Sequence, residues 1–222
     1  MANETLKAYL SAGHGGSDPG AVALGLVEKN INLQILLECK SELERHGVAV
    51  VCSRITDEND PVKEEVKEAN ASKADIAISF HANAGKGDGS ESLYYGTSKN
   101  GKRIAELCEK YTQEIGQNSR GAKVRNDLYF LKHTTMPAVI CECAFVDNDK
   151  DNDIIDTMEE QKRFGQAYAN AILEYFGIDY KEPVKESTKL YRVQVGAYSV
   201  KANADAMLQK LKAAGFDGFI TY

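Results

Sequence analysis

Apolar residues along this chain follow two periods that alternate from one end to the other. Short runs rich in β-branched and aromatic residues read as strands: 6–12 (LKAYLSA), 48–53 (VAVVCS), 75–80 (DIAISF), 92–95 (SLYY), 128–132 (LYFLK) and 137–143 (PAVICEC). Between and after them, the spacing predicts helices over 27–45, 62–73, 99–116 and 157–176. In the first helix Ile31, Ile35 and Cys39, with Leu36 and Leu43, recur at helical spacing, and His46-Gly47 supplies a stop. This alternation predicts an α/β fold with a mixed, mainly parallel sheet and helices on both faces. Ligand sites in such sheets lie beyond the carboxyl ends of the strands.

Past Gly177 the pattern breaks. Residues 178–189 (IDYKEPVKESTK) are polar, charged and interrupted by Pro183, as in a linker. A strand, a helix and a strand follow at 190–197, 201–214 and 217–221, with Ala204, Met207, Leu208 and Leu211 forming one helical stripe ahead of Gly215. The expected organisation is therefore a main domain over 1–177, a linker over 178–189 and a small β-α-β unit over 190–222. A unit of 33 residues cannot close a core alone and needs a second copy, another chain or the main domain.

Composition narrows the class. Hydrophobic residues at 43% and charged residues at 27% are the balance of a folded globular chain. A net charge of −6 and a pI near 5.4 supply no overall basic field, which argues against nucleic acid as a partner. The N-terminus, MANETLKAYLSAGHGG, has neither a basic n-region nor an apolar core, and no apolar run approaches the ~20 residues of a bilayer span. The expectation is synthesis in the cytoplasm with no membrane partner. Five cysteines (Cys39, Cys52, Cys108, Cys141, Cys143), odd in number and in apolar contexts, read as reduced thiols. Cys141 and Cys143 flank Glu142, so the period of two turns both away from it; a lone CxC also lacks the second pair of a structural zinc site.

Four polar residues stand out against this frame: His14 in AGHGGSDPG, Glu28 in VEKNINL, His81 in ISFHANA and Glu142 in VICECAF. Three fall at or after strand ends and Glu28 opens the first helix, so all four could face one crevice. Two histidines and a glutamate meet the needs of a catalytic zinc, which keeps a fourth position for water, and a further carboxylate can move the water's proton. Each has a plainer reading. His14 could be a turn residue, Glu28 could complement the helix dipole, and His81 could cap a loop. Glu142 is harder to dismiss, because a buried unpaired carboxylate is unfavourable. The spacings, 13 residues between His14 and Glu28 and 52 more before His81, match no short zinc motif such as HExxH.

The blocks HGGSDPGA, GLVEKNINL, ADIAISFHANA and LYFLKHTTMPAVICECAFVDN, in this order, resemble the zinc-dependent N-acetylmuramoyl-L-alanine amidases of the amidase type 3 family, over about residues 6–176. The resemblance implies zinc on His14, Glu28 and His81, catalysis by Glu142, and hydrolysis of the amide joining N-acetylmuramic acid to L-alanine in peptidoglycan. The tail, YRVQVGAYSVKANADAMLQKLKAAGF, is similar to the first half of a SPOR domain, a glycan-binding module. With that tail the chain resembles spore-former amidases of mother-cell lysis, which implies action on the wall after lysis, holin-mediated or non-classical release. A single half-repeat implies either a shortened chain or a dimer through the tail. The rival readings are a metallopeptidase cutting stem-peptide bonds and a catalytically inactive wall-binding protein; phage endolysin and host autolysin are not separated.

The chain departs from the family pattern at three places. Ser11 stands for an aspartate, Ala144 for a glycine, so that φ > 0 is not expected there, and Glu65 for a common arginine. Among other polar residues, His133 is either a cleft or a loop residue, and Lys123 and Arg125 either meet stem-peptide carboxylates or are solvated. Arg54 with Asp57 reads as a structural ion pair.

Overall fold

In the computed structural model, which describes residues 5–182, 193–216 and 218–221, six strands form one sheet. They are β1 (Lys7–Ala12), β4 (Ala49–Cys52), β5 (Ile76–Asn83), β6 (Ser90–Tyr94), β7 (Ser119–Val124) and β8 (Ala138–Phe145), in the order β4-β1-β5-β8-β6-β7. Every neighbouring pair is parallel except β6 with β8, which is antiparallel. A two-stranded hairpin, β2 (Val22–Ala23) and β3 (Leu26–Val27), leads directly into helix α1 (Glu28–Arg45).

Alternation of side chains sorts the sheet into two unlike faces. Ala8, Leu10, Ile76, Ile78, Phe80, Val139, Cys141 and Cys143 point to one face, where α1, α3 (Lys99–Glu114) and α6 (Met158–Phe176) pack over them. There α1 buries the stripe Ile31, Ile35, Leu36, Cys39 and Leu43, each large aliphatic contributing about 1.5–3 kcal/mol. Helix α6 opens on a capping box between Thr157 and Glu160 and ends at Gly177 in the left-handed region, φ 69°. The other face, with Tyr9, Ala77, Leu93, Ala138 and Ile140, is covered only by two shorter helices, α2 (Val62–Ser72) and α4 (Tyr129–His133). All five cysteines are free, and all but the half-buried Cys52 are buried.

The segment 128–132, expected as a strand, is the helix α4 instead. Phe130 and Leu131 are adjacent and both buried, which one helical turn permits and a half-exposed strand does not. The strand β7 and the short helix α5 (Asp149–Asn152) were not expected; β7 is a charged edge strand, SRGAKV, whose composition hides it.

The chain divides into two compact units, Met1–Lys181 and Glu182–Tyr222. Residues 183–189 of the expected linker lie outside the described residues, as do 190–192 and 217 of the expected tail strands. In the second unit helix α7 (Lys201–Ala213) forms and ends ahead of Gly215, φ 85°, and none of its residues is buried. The described flanks, 193–197 and 218–221, pair with no strand. Among the described residues no helix is long and apolar enough to cross a membrane.

Candidate active site

Strand β1 ends at Ala12, and the Gly13 amide donates to the Phe80 carbonyl (3.0 Å), which carries the chain past β5 before it turns. His14 then adopts φ 65°, a left-handed conformation uncommon for a residue other than glycine, in a turn closed by a bridge between Gly15 and Asp18. That turn aims the imidazole at the first residue of α1. His81, near the end of β5, comes from the side, and the two rings meet edge to face with centroids 5.1 Å apart.

Glu28 lies between them, its side chain only 6% exposed. Its Oε1 is 2.9 Å from His81 Nδ1 and 3.2 Å from His14 Nε2, and also accepts from the Ala82 amide at 3.2 Å. Oε2 accepts from the Ala21 amide at 2.8 Å. One potential donor atom from each of His14, Glu28 and His81 lies within 4.8 Å of the others, so the trio could hold a metal ion. Behind it, Asp18 Oδ2 sits 2.8 Å from His14 Nδ1, an orienting contact of the kind metal-binding imidazoles need. The packing leaves no slack. A Cβ added to Gly13 would lie 2.0 Å from His81 Cε1, and one on Gly20 (φ 64°) would lie 2.5 Å from Glu28 Oε2.

Electrostatics within the trio follow from these contacts. Burial raises the Glu28 carboxyl, but the hydrogen bonds from His14 and His81 outweigh it and hold the group well below the usual carboxylate range. The same bond from Glu28 raises His14 to about 9, and it raises His81 against the opposing effect of burial. Metal would compete with those protons for the imidazoles.

Glu142 stands on β8 directly beside His81, the two being partners in the parallel register. Burial, with Glu28 and Glu91 adding, pushes its carboxyl up to about 7 against the favourable charge of His81. All four residues singled out in the sequence therefore come together at the carboxyl ends of β1, β5 and β8. Ala144 is buried and has no positive φ, in keeping with the absence of glycine there.

Two neighbours escaped the sequence reading. Glu91 on β6 is paired directly opposite Glu142, so it continues the same row. Its Oε2 accepts from Arg120 Nε (2.7 Å) and Lys123 Nζ (2.5 Å) on β7, and these cations hold its carboxyl low although burial opposes them. Strand alternation in SESLYY could have placed Glu91; nothing in SRGAKV marked Arg120.

Beneath the cleft, Glu65 of α2 is 4% exposed and accepts from Ser11 Oγ at 2.9 Å, while Ser79 Oγ donates to Ser11 Oγ at 3.3 Å. Burial, aided by the charge of Asp60, pushes Glu65 up to about 7. The expected Arg54–Asp57 pair does not form. Asp57 instead binds Lys29 at 2.7 Å, and the buried Arg54 donates to the carbonyls of Ala12 (2.9 Å), Lys29 (2.8 Å) and Thr56 (3.1 Å), tying the His14 turn to α1. Carbonyl oxygens crowd Arg54, so its fork is satisfied without the carboxylate. His133 is exposed at the end of α4 against Tyr129, and Arg125 pairs with Asp127 at the surface, both apart from the trio.

Residues 9–174, most of the chain, match the family described as N-acetylmuramoyl-L-alanine amidase. The chain belongs to that family. Residues 166–222 of the amidase match the SPOR domain. It is 33% identical to the N-acetylmuramoyl-L-alanine amidase CwlM of Bacillus licheniformis over 98% of this chain and 85% of that protein. It is likewise 33% identical to the sporulation-specific N-acetylmuramoyl-L-alanine amidase of Bacillus subtilis, over 97% of this chain and 84% of that one. Among solved structures, the catalytic domain of the amidase CwlV from Bacillus (Paenibacillus) polymyxa superposes with a TM-score of 0.74 at 30% identity, covering 79% of this chain and all of that domain. The fold of the amidase is thus the α/β arrangement of this family.

Proposed function

We propose that this amidase hydrolyses the amide between N-acetylmuramic acid and L-alanine in peptidoglycan, with zinc held by His14, Glu28 and His81 and with Glu142 as the proton-transfer residue. The convergence of one carboxylate and two imidazoles within 4.8 Å carries the reading. Two nitrogens and an oxygen suit zinc, which tolerates this donor set with one position left open. The glycines at 13 and 20 also fit, since each lies where any Cβ would push His81 or Glu28 off the cluster. A zinc ion there would supply Lewis acidity, polarising the scissile carbonyl and activating water near neutral pH.

The protein's own groups do the rest. Glu142 accepts a proton from the attacking water and delivers it to the alanine nitrogen as the C–N bond breaks. A carboxyl pushed up to about 7 suits both halves of that transfer, because it can be charged in one step and protonated in the next. Asp18 keeps the His14 ring turned toward Glu28, and Arg54 fixes the turn that carries it. The SPOR match over 166–222 supports a role for the tail in holding the enzyme on glycan strands.

Metal content and product analysis on purified peptidoglycan test the proposal, with wild type beside Glu142→Gln. The wild type should release stem peptides that begin with L-alanine. The variant should keep its metal and lose about 10²–10⁴ in turnover. Full activity in Glu142→Gln, or shortened stems as the product, would refute it.

A further inference from the structure

Resting on the amidase reading above, we propose that Arg120 and Lys123 form a subsite for a carboxylate of the stem peptide, on the leaving-group side of the scissile bond. Glu142 and Glu91 stand side by side on β8 and β6, so a peptide leaving Glu142 toward the sheet edge passes a second carboxylate. A peptide bearing carboxylates would be repelled there unless cations received it. Arg120 and Lys123 are the cations placed to do so. Both bind the same oxygen of Glu91, the residue paired opposite Glu142.

A merely structural ion pair needs one cation, and here one oxygen of one carboxylate has two, so neither cation is fully neutralised by Glu91. Glu91 is 12% exposed in its side chain, whereas Arg120 and Lys123 are 37% and 40% exposed. Their anchor is therefore half-buried while their remaining donors are more exposed. Only Nε of Arg120 donates to Glu91, and its Nη groups donate to none of the described residues. The Arg120 guanidinium carbon lies over the ring of Phe145, 5.0 Å from its centroid, a cation–π contact that favours this placement of the fork.

Position agrees with this. β7 lies two strands from β8, about 10 Å at the usual strand spacing. A peptide residue advances about 3.8 Å, so the residue after alanine comes within range of the long Arg and Lys side chains. On this placement the peptide runs from Glu142 toward β7, away from β1. Arg125 gives its Nε and one Nη to Asp127, and of the three cations along this edge only Arg120 and Lys123 bind Glu91.

The test uses the full chain loaded with zinc and two muramyl peptides that differ only in carrying a carboxylate or a carboxamide on the residue after alanine. Wild type should show a KM about tenfold or more lower for the carboxylate, the size expected of a charge-assisted hydrogen bond. Arg120→Gln/Lys123→Gln should abolish that preference by raising KM for the carboxylate peptide, with kcat changed far less. If the lone Glu91 unfolds this variant, Glu91→Gln/Arg120→Gln/Lys123→Gln removes the buried charge and gives the same reading. Equal KM values for the two peptides in wild type, or a preference that survives the substitutions, would overturn the subsite. A wild type that cleaves neither peptide would sink the amidase reading itself, and the subsite with it.

Discussion

Replacing Glu65 by glutamine is expected to stabilise the first unit at pH 8 and to leave it nearly unchanged at pH 4. Glu65 is 4% exposed, and its facing groups are Ser11, which donates to it, and the charges of Asp60, His81 and His14. Its carboxyl titrates near 7 in the fold against an ordinary 4.5. The folded chain thus holds this proton more tightly than the unfolded one. The stability that the neutral form contributes is complete below about pH 4.5 and is lost as pH rises through 7. At 1.36 kcal/mol per pKa unit the loss is roughly 3 kcal/mol above pH 8. Glutamine keeps an oxygen for Ser11 and never ionises. For a unit of this size the difference corresponds to about 6–12 °C in Tm. Thermal melts of chelator-treated wild type and Glu65→Gln from pH 4 to 9 isolate this one group, because every other titration is common to both. A Tm difference that is flat across that range, or a variant less stable than wild type at pH 8, would refute the assignment.

Gly13→Ala places a Cβ 2.0 Å from His81 Cε1, and should lower metal affinity by about 10–100-fold in competition titrations while the far-ultraviolet circular dichroism spectrum is retained. Chelation should silence the wild type and added zinc restore it. Glu28→Ala removes the central oxygen that meets both imidazoles, and should bind less than one zinc per chain even at concentrations that saturate the wild type.

How much of this was legible depends on what each residue's neighbours contribute. His14, Glu28, His81 and Glu142 could be singled out because a polar group at the end of an apolar strand, or at a helix start, is conspicuous in a one-dimensional pattern. Their convergence could not be read from spacing, since it depends on β5 lying between β1 and β8, an order that no run of residues encodes locally. Segment 128–132 deceived because five residues with three apolar side chains satisfy both periods, and only the tertiary burial of adjacent Phe130 and Leu131 chose the helix. β7 was invisible for the opposite reason. As an edge strand it needs only one partner and carries charge, so Lys123 reads as either a stem-peptide contact or a solvated residue and Arg120 goes unmarked, while both in fact flank Glu91. Ser11 and Glu65 were two separate departures in sequence and are one hydrogen-bonded contact in the fold.

The cleft also shows how one row of carboxylates comes to hold different protonation states. Three helices seal one face of the sheet, whereas the short α2 and α4 leave the strand ends of the other open, so side chains there are only partly withdrawn from water. Within that row the nearest cations decide the outcome. Glu28 touches two imidazoles and Glu91 touches Arg120 and Lys123, so both carboxyls stay charged. Glu142 sits between them with no donor of its own among the described hydrogen bonds, and two flanking anions add to its burial to push it to about 7. Of the three, only Glu142 can exchange a proton near neutral pH, which is the property the proton transfer requires. Placing a further cation against Glu142 would abolish the distinction, and with it the reason this residue, and neither Glu28 nor Glu91, is assigned the transfer.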